Sequence, residues 1–169
     1  MDLVLDISKE YFTTEEIINN EAILMPRPNI NHSIIIGNIY ENFKSFLKNK
    51  NCRIFTEVEV YLDKNVVVPD ILVVCDIEKI GFRGIYGSPD LVVEVLSFSN
   101  INHDKKIKFE IYEKYKIPEY WIVDPNKKEV YVYNLKNDKY ILHEIESSEI
   151  TSPTKHFKVL IDEIFKDMI

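Results

Sequence analysis

The sequence predicts an α/β domain, a mixed β-sheet flanked by at least two helices. Three observations predict it. Two almost unbroken apolar runs, residues 66–75 and 91–96, read as strands buried on both faces. Apolar residues recur at helical spacing in two places, Ile35, Ile39, Phe43, Phe46 and Leu47, then Ile107, Ile111 and Tyr115. Three strand-like stretches, 120–123, 129–135 and 139–145, follow with turns between them and read as a meander. Strands and helices alternate along one chain, which is the α/β pattern.

Taken in order, Thr13 and Glu16 have the spacing of a capping box and predict a short helix ending near Asn19-Asn20. Residues 21–25 predict a short strand, and Pro26-Arg27-Pro28 breaks the chain. A long amphipathic helix is expected over about 31–49, with Gly37 marking close packing. Residues 53–62 alternate loosely and predict one strand, followed by a turn at Asp63-Lys64-Asn65. The run 66–75 is the next strand, and Gly81, Gly84 and Gly87 punctuate a loop before the strand at 91–96. A second helix is expected over 104–116, because Pro118 disfavours helical dihedrals in the residue before it. A terminal helix is expected around 160–169.

The 169 residues match one domain, and no repeat or linker divides them, so residues 1–169 form one predicted unit. Net charge is −7, from 21 Lys+Arg against 28 Asp+Glu. This excludes a protein that coats nucleic acid through bulk charge, while leaving room for a local groove. Arginines are restricted to Arg27, Arg53 and Arg83, so bidentate phosphate clamps are scarce. Cys52 and Cys75 are far apart and form no CxxC, which excludes a disulfide framework and a zinc knuckle. No apolar stretch approaches the ~20 residues of a membrane span. The acidic start lacks the features of a signal peptide. The expectation is a cytoplasmic, reduced protein with no membrane partner.

Two carboxylates inside apolar runs carry the chemical signal: Asp70, in Val68-Pro69-Asp70-Ile71, and Glu94, in Val92-Val93-Glu94-Val95. A buried carboxylate without a partner costs several kcal/mol or takes up a proton. A divalent cation or a lysine would compensate; alternatively, each acid simply reaches solvent at a strand end. Pro69 fits a strand start or a bulge, which puts Asp70 near an open end of the sheet. Lys105, Lys106 and Lys108 occupy the first turns of the second helix, where the helix dipole disfavours cations. Lys105 and Lys106 read as a solvated face. Lys108 borders the buried face and is the candidate to point back at Asp70 and Glu94. The four histidines show no metal-ligand spacing, and Ser97 and Ser99 have no nearby histidine for a triad. The glycines at 81, 84 and 87 match no phosphate loop.

The order Pro69-Asp70, then Pro89-Asp90-Leu91-Val92-Val93-Glu94-Val95-Leu96-Ser97, then Asp104, Lys108 and Tyr112 in four-residue steps, then Pro118-Glu119-Tyr120-Trp121-Ile122-Val123-Asp124-Pro125, resembles the Uma-two family of restriction-endonuclease-like proteins. The similarity covers about 21–135. That family belongs to the PD-(D/E)XK nuclease superfamily, so the resemblance implies a restriction-endonuclease-like mixed sheet between helices. It also implies metal-dependent attack of water on a phosphodiester. The motif's acids map onto Asp70 and Glu94. Its lysine would fall at Leu96, and the resemblance implies that Lys108 on the following helix takes that role. Glu21, His32 and Tyr112 match further family positions as accessory residues. Asn20 stands where the family has glycine, Phe98 where it has proline, and Ile101-Asn102-His103 where it is often arginine-rich.

The expected activity is therefore a magnesium-dependent endonuclease (hydrolase) acting on DNA, with manganese as a substitute. Asp70, Glu94 and the Val95 carbonyl would be the metal ligands, because magnesium takes oxygen donors. The superfamily's habit of dimerising implies a homodimer. The competing expectation is a module that keeps the fold and binds nucleic acid or protein without cutting.

Overall fold

The computed structural model describes residues 12–26, 28–97, 103–145 and 147–169. The chain opens with β1 (Phe12–Ile18) and β2 (Glu21–Pro26), an antiparallel hairpin. The helix expected here is not formed. Thr13, Thr14, Ile17 and Ile18 are β-branched and suit a strand. Asn19 and Asn20, at φ of 52° and 68°, make the two-residue left-handed turn that joins strands tightly. The capping-box spacing was coincidental, because the real period is two: Glu16 and Ile18 are buried while Glu15 and Ile17 are exposed.

Helix α1 (Ile30–Leu47) starts at Asn29, whose side chain accepts from the His32 backbone N–H at 2.9 Å. It buries His32, Ile35, Ile39, Phe43 and Leu47 along one stripe. Gly37 does not mark close packing, since a Cβ there would meet nothing within 4 Å.

Next come β3 (Arg53–Thr56), β4 (Glu59–Leu62), β5 (Asn65–Val67) and β6 (Ile71–Val74). The two long strands expected over 53–62 and 66–75 are each broken, and each half joins a different sheet. Glu57 takes a left-handed φ of 51° between β3 and β4. Pro69 lacks an N–H and cannot continue a ladder between β5 and β6. A 3-10 turn at Ile77–Lys79 leads to β7 (Gly84–Tyr86) and β8 (Leu91–Val95). Helix α2 (His103–Lys114) carries the chain to β9 (Glu119–Asp124), which lies parallel to β8. β10 (Glu129–Lys136) and β11 (Lys139–His143) complete the expected meander. The C-terminal part forms a hairpin of β12 (Glu149–Thr151) and β13 (Lys158–Leu160), then α3 (Ile161–Ile164). The expected ten-residue terminal helix is a single turn.

Among the described residues one sheet runs β11-β10-β9-β8-β6-β3 and another β2-β1-β5-β4-β7. The six-stranded sheet is covered on both faces, which is why its strands read as continuous apolar runs. Ile71, Val73, Leu91, Val93, Val95 and Trp121 face α1 and the C-terminal hairpin. Leu72, Val74, Val92, Tyr120 and Ile122 face α2 and the five-stranded sheet. Glu119 is fully buried and accepts from Trp121 Nε1 at 2.6 Å and Ser152 Oγ at 2.8 Å, tying the C-terminal hairpin to β9.

Helix α2 packs the face of its apolar spacing against the core, and Lys108 and Tyr112 beside that face are buried as well. Lys108, Ile111 and Tyr112 are buried, whereas Ile107 and Tyr115 are only half-buried. Cys52 and Cys75 are joined by a disulfide (S–S 2.03 Å). The sequence separation concealed it. Antiparallel pairing of Arg53 with Val74 puts the two cysteines opposite each other at the end of β3 and β6.

Candidate active site

The site forms where the chain passes between the two sheets. Both crossings, at Glu57-Val58 and at Val68-Pro69-Asp70, lie at the same end, and the Glu57 N–H donates to the Asp70 carbonyl at 3.3 Å. Backbone groups at such a crossing lack ladder partners and must find others. The Val68 N–H finds the Glu16 carboxylate at 2.7 Å, and the Val95 N–H finds Asp70 Oδ2 at 2.6 Å. Polar side chains are thus gathered at this point because the ladders stop here.

Asp70 and Glu94 face each other. β6 and β8 are antiparallel with Ile71 opposite Val93, and one step further along that register sets Asp70 opposite Glu94. Alternation along β8 turns Glu94 towards the α2 side, with Val92. Leu96 shares that side and packs into the same core. The cation that faces Glu94 comes from α2. Lys108 Nζ lies 3.0 Å from Glu94 Oε1 and 2.9 Å from Glu16 Oε1. Tyr112, one turn later, donates its hydroxyl to Glu94 Oε1 at 2.6 Å. From the opposite layer His32, at the start of α1, brings Nε2 within 3.2 Å of Asp70 Oδ2.

The electrostatics follow from burial and crowding. Glu94 is pushed up to about 7, first by burial; Lys108 opposes this, and the charges of Asp70 and Glu16 add to it. Burial would lower Lys108, but Glu94, Glu16 and Asp70 outweigh it and hold the ammonium above its ordinary value. Burial would likewise lower His32. The hydrogen bond to Asp70 and the charges of Asp70, Glu94 and Glu57 overcome this and raise it. Tyr112 is raised well above its ordinary value by burial and by the neighbouring Glu94, so it stays a neutral donor. The site holds three carboxylates against one lysine and one histidine.

The structure therefore brings together Asp70, Glu94, Lys108, His32, Tyr112 and the Val95 backbone. It does not bring Glu21, which is exposed at the start of β2 beside the hairpin turn. The N-terminal acid at the site is Glu16, 1% exposed, although its spacing from Thr13 predicts a helix cap. The available signal was the period-two burial pattern ending in Asn19-Asn20. Lys106 is exposed, as expected. The side chain of Lys105, and Phe98, Ile101 and Asn102, lie outside the described residues.

Among the described residues no three His, Cys, Asp or Glu side chains converge on one ion position. The chemistry of the donor set still suits a magnesium-type ion. Asp70 Oδ2 and Glu94 Oε1 hold the protein contacts, while Oδ1 and Oε2 take no hydrogen bond from the described residues. The two side chains are 16% and 12% exposed, so neither is fully sealed from solvent. Magnesium is commonly held by one or two carboxylates and keeps several waters.

Two acids thus stand opposite each other on adjacent strands of a mixed sheet, with Lys108 held between Glu94 and Glu16. The family model described as "Uma2: Putative restriction endonuclease" matches residues 9–161, and the chain belongs to that family. Its fold is similar to a crystal structure titled as a putative nuclease belonging to DUF820 from Anabaena variabilis ATCC 29413. The TM-score is 0.75 at 22% identity, with 89% of each chain covered. No curated protein matches the chain.

Proposed function

We propose that this protein is a magnesium-dependent endonuclease that hydrolyses phosphodiester bonds in DNA, with manganese able to substitute. The observation that carries the reading is the meeting of Asp70, Glu94 and Lys108 at one point, from β6, β8 and α2. Asp70, Glu94 and the Val95 carbonyl would hold the ion, which when bound polarises the phosphate and lowers the pKa of water. The chain's residues do the rest. Lys108, fixed between Glu16 and Glu94, sets a positive charge where negative charge develops on the phosphate oxygens. Glu16 holds Lys108 in place whichever way Glu94 is engaged. His32 orients Asp70, and Tyr112 orients Glu94. Water attacks phosphorus and gives up a proton to solvent, the P–O bond to the leaving oxygen breaks, and that oxygen takes a proton from solvent. A cytoplasmic enzyme belongs to the same reading, and so does a homodimer, because cutting both strands of a duplex calls for two copies of the chain.

One observation favours a second reading, a nucleic-acid- or protein-binding module that does not cut. Lys108 already pairs with both Glu94 and Glu16, so two of the acids have a partner without any ion. The two readings separate by calorimetry with magnesium and manganese, and by cleavage of single-stranded, duplex and branched DNA and RNA. The nuclease reading expects a metal site that disappears in Asp70→Asn and in Glu94→Gln, and cleavage lost with it. Unchanged metal affinity in both variants, with no substrate cut at micromolar protein, leaves the binding module.

A further inference from the structure

Beside the site lies a groove with a volume of about 490 Å³, between α1 and the edge strand β3. Its walls are Ser33, Gly37 and Tyr40 of the helix, and Phe55, Thr56 and Val58 of the strand and the crossing. That volume is within the range of small-molecule sites, roughly 300–1,000 Å³. At one end the walls adjoin in sequence the residues that touch Asp70. Ser33 follows His32, which touches Asp70 Oδ2, and Thr56 precedes Glu57, whose N–H binds the Asp70 carbonyl. The other end is basic. Lys44, one turn beyond Tyr40, is exposed with its ammonium 5.2 Å above the Tyr40 ring, and exposed Arg53 begins β3. From Ser33 to Tyr40 the helix advances about 10 Å.

The walls carry the Tyr40 ring, the Ser33 and Thr56 hydroxyls and aliphatic carbon, and no charged side chain lines them. Such a surface suits a flat, neutral heterocycle. Gly37 makes the space, because a Cβ at this position would project into open groove and meet nothing within 4 Å.

We propose that this groove takes an unstacked nucleobase of the strand being cut, next to the scissile phosphate, with Lys44 and Arg53 meeting the following phosphate. This rests on the nuclease reading and deepens it: the substrate is a strand whose base is free of the duplex stack, single-stranded or locally opened. Enzymes that need such a base act on single strands or extrude the nucleotide. Stacking on an aromatic side chain is tolerant of base identity, so the groove selects for an unpaired base and not for a sequence.

The test is an abasic scan. A labelled single-stranded DNA is bound with calcium in place of magnesium, and one base is deleted at each position in turn. Wild-type protein should lose affinity at least about fivefold at one position, the lower end for loss of a base–aromatic stack. Gly37→Leu puts a bulky side chain on the groove wall at a position where the Cβ meets nothing within 4 Å. It should bind intact DNA as weakly as wild type binds the abasic strand, with no further loss on base deletion. Its melting temperature should not fall, because leucine suits a helix interior better than glycine. Tyr40→Ala should act in the same direction. A flat scan, no binding of the oligonucleotide, or a Gly37→Leu protein with undiminished affinity overturns the groove assignment. A protein that cuts DNA with a flat scan loses the groove and keeps the nuclease. One that shows the base dependence yet cuts nothing with magnesium or manganese keeps the groove and loses the nuclease.

Discussion

Burying an ammonium is unfavourable unless its charge is met, and Lys108 is met twice, by Glu16 and by Glu94. Removing one member of such a cluster leaves uncompensated buried charge. Lys108→Ala should therefore abolish cleavage and also cost about 3–5 kcal/mol in urea unfolding near neutral pH. Lys106→Ala, on the exposed side of the same helix, should change stability by less than about 0.5 kcal/mol and leave cleavage intact. Glu94 makes the metal-free protein pH-sensitive. Its carboxyl is raised from 4.5 to about 7 on folding, so the folded state keeps a proton that the unfolded chain releases. That contribution is complete below about pH 4.5 and is lost as pH rises to about 7, with a slope of at most ~1.4 kcal/mol per pH unit. Denaturant midpoints measured across this window should fall with pH in wild type and flatten in Glu94→Gln. A midpoint that instead rises between pH 5 and 7, with no flattening in the variant, would contradict the raised carboxyl.

At the scale of elements, the β1–β2 hairpin sets the third acid. Its turn holds Asn19 and Asn20 in the left-handed region, where asparagine is tolerated and glycine is free of strain. Asn20→Gly should raise the melting temperature or leave it unchanged. Asn20→Val should lower stability by ~1–2 kcal/mol and weaken cleavage, because a displaced hairpin moves Glu16 away from Lys108 and Val68. Thermal melts and cleavage rates of the two variants decide it. Helix α2 is positioned in the same way by its buried face. Ile111 and Tyr112 pack beneath it, and Lys108 lies on that stripe, so the amine is delivered by ordinary helix packing.

Across the molecule, the carboxylate end and the cross-linked end of β6 are opposite. Asp70 precedes the strand and Cys75 follows it, about 16 Å apart at ~3.3 Å per residue. The Cys52–Cys75 bridge closes a sequence separation of 23, for which the chain-entropy model gives about 3 kcal/mol of stability. Cys75→Ser should lower the denaturant midpoint accordingly and leave metal-dependent cleavage unchanged under native conditions. Loss of cleavage in a folded Cys75→Ser protein would show that the two ends are coupled.

Local order in the sequence determined a good deal. Continuous apolar runs announced the doubly covered strands, and the 3.6-residue spacing announced α1 and α2. Carboxylates set in those runs announced Asp70 and Glu94, because charge in such a place needs compensation. What lies between elements was decided by tertiary structure. The runs 53–62 and 66–75 look continuous, yet each divides between two sheets, since apolar residues suit either core and only the fold says which one they join. Glu16 looked like a cap because its partners, Val68 and Lys108, are 52 and 92 positions away; Glu21, nearer the motif core in sequence, ends on the exposed side of a turn. Cys52 met Cys75 through strand register, which spacing does not encode. The residue types at the site follow from the sequence, because burial dictates which charges must be paired. Their partners follow from the two chain crossings at Glu57 and Pro69, which stop the backbone ladders and leave side chains to complete the hydrogen bonding.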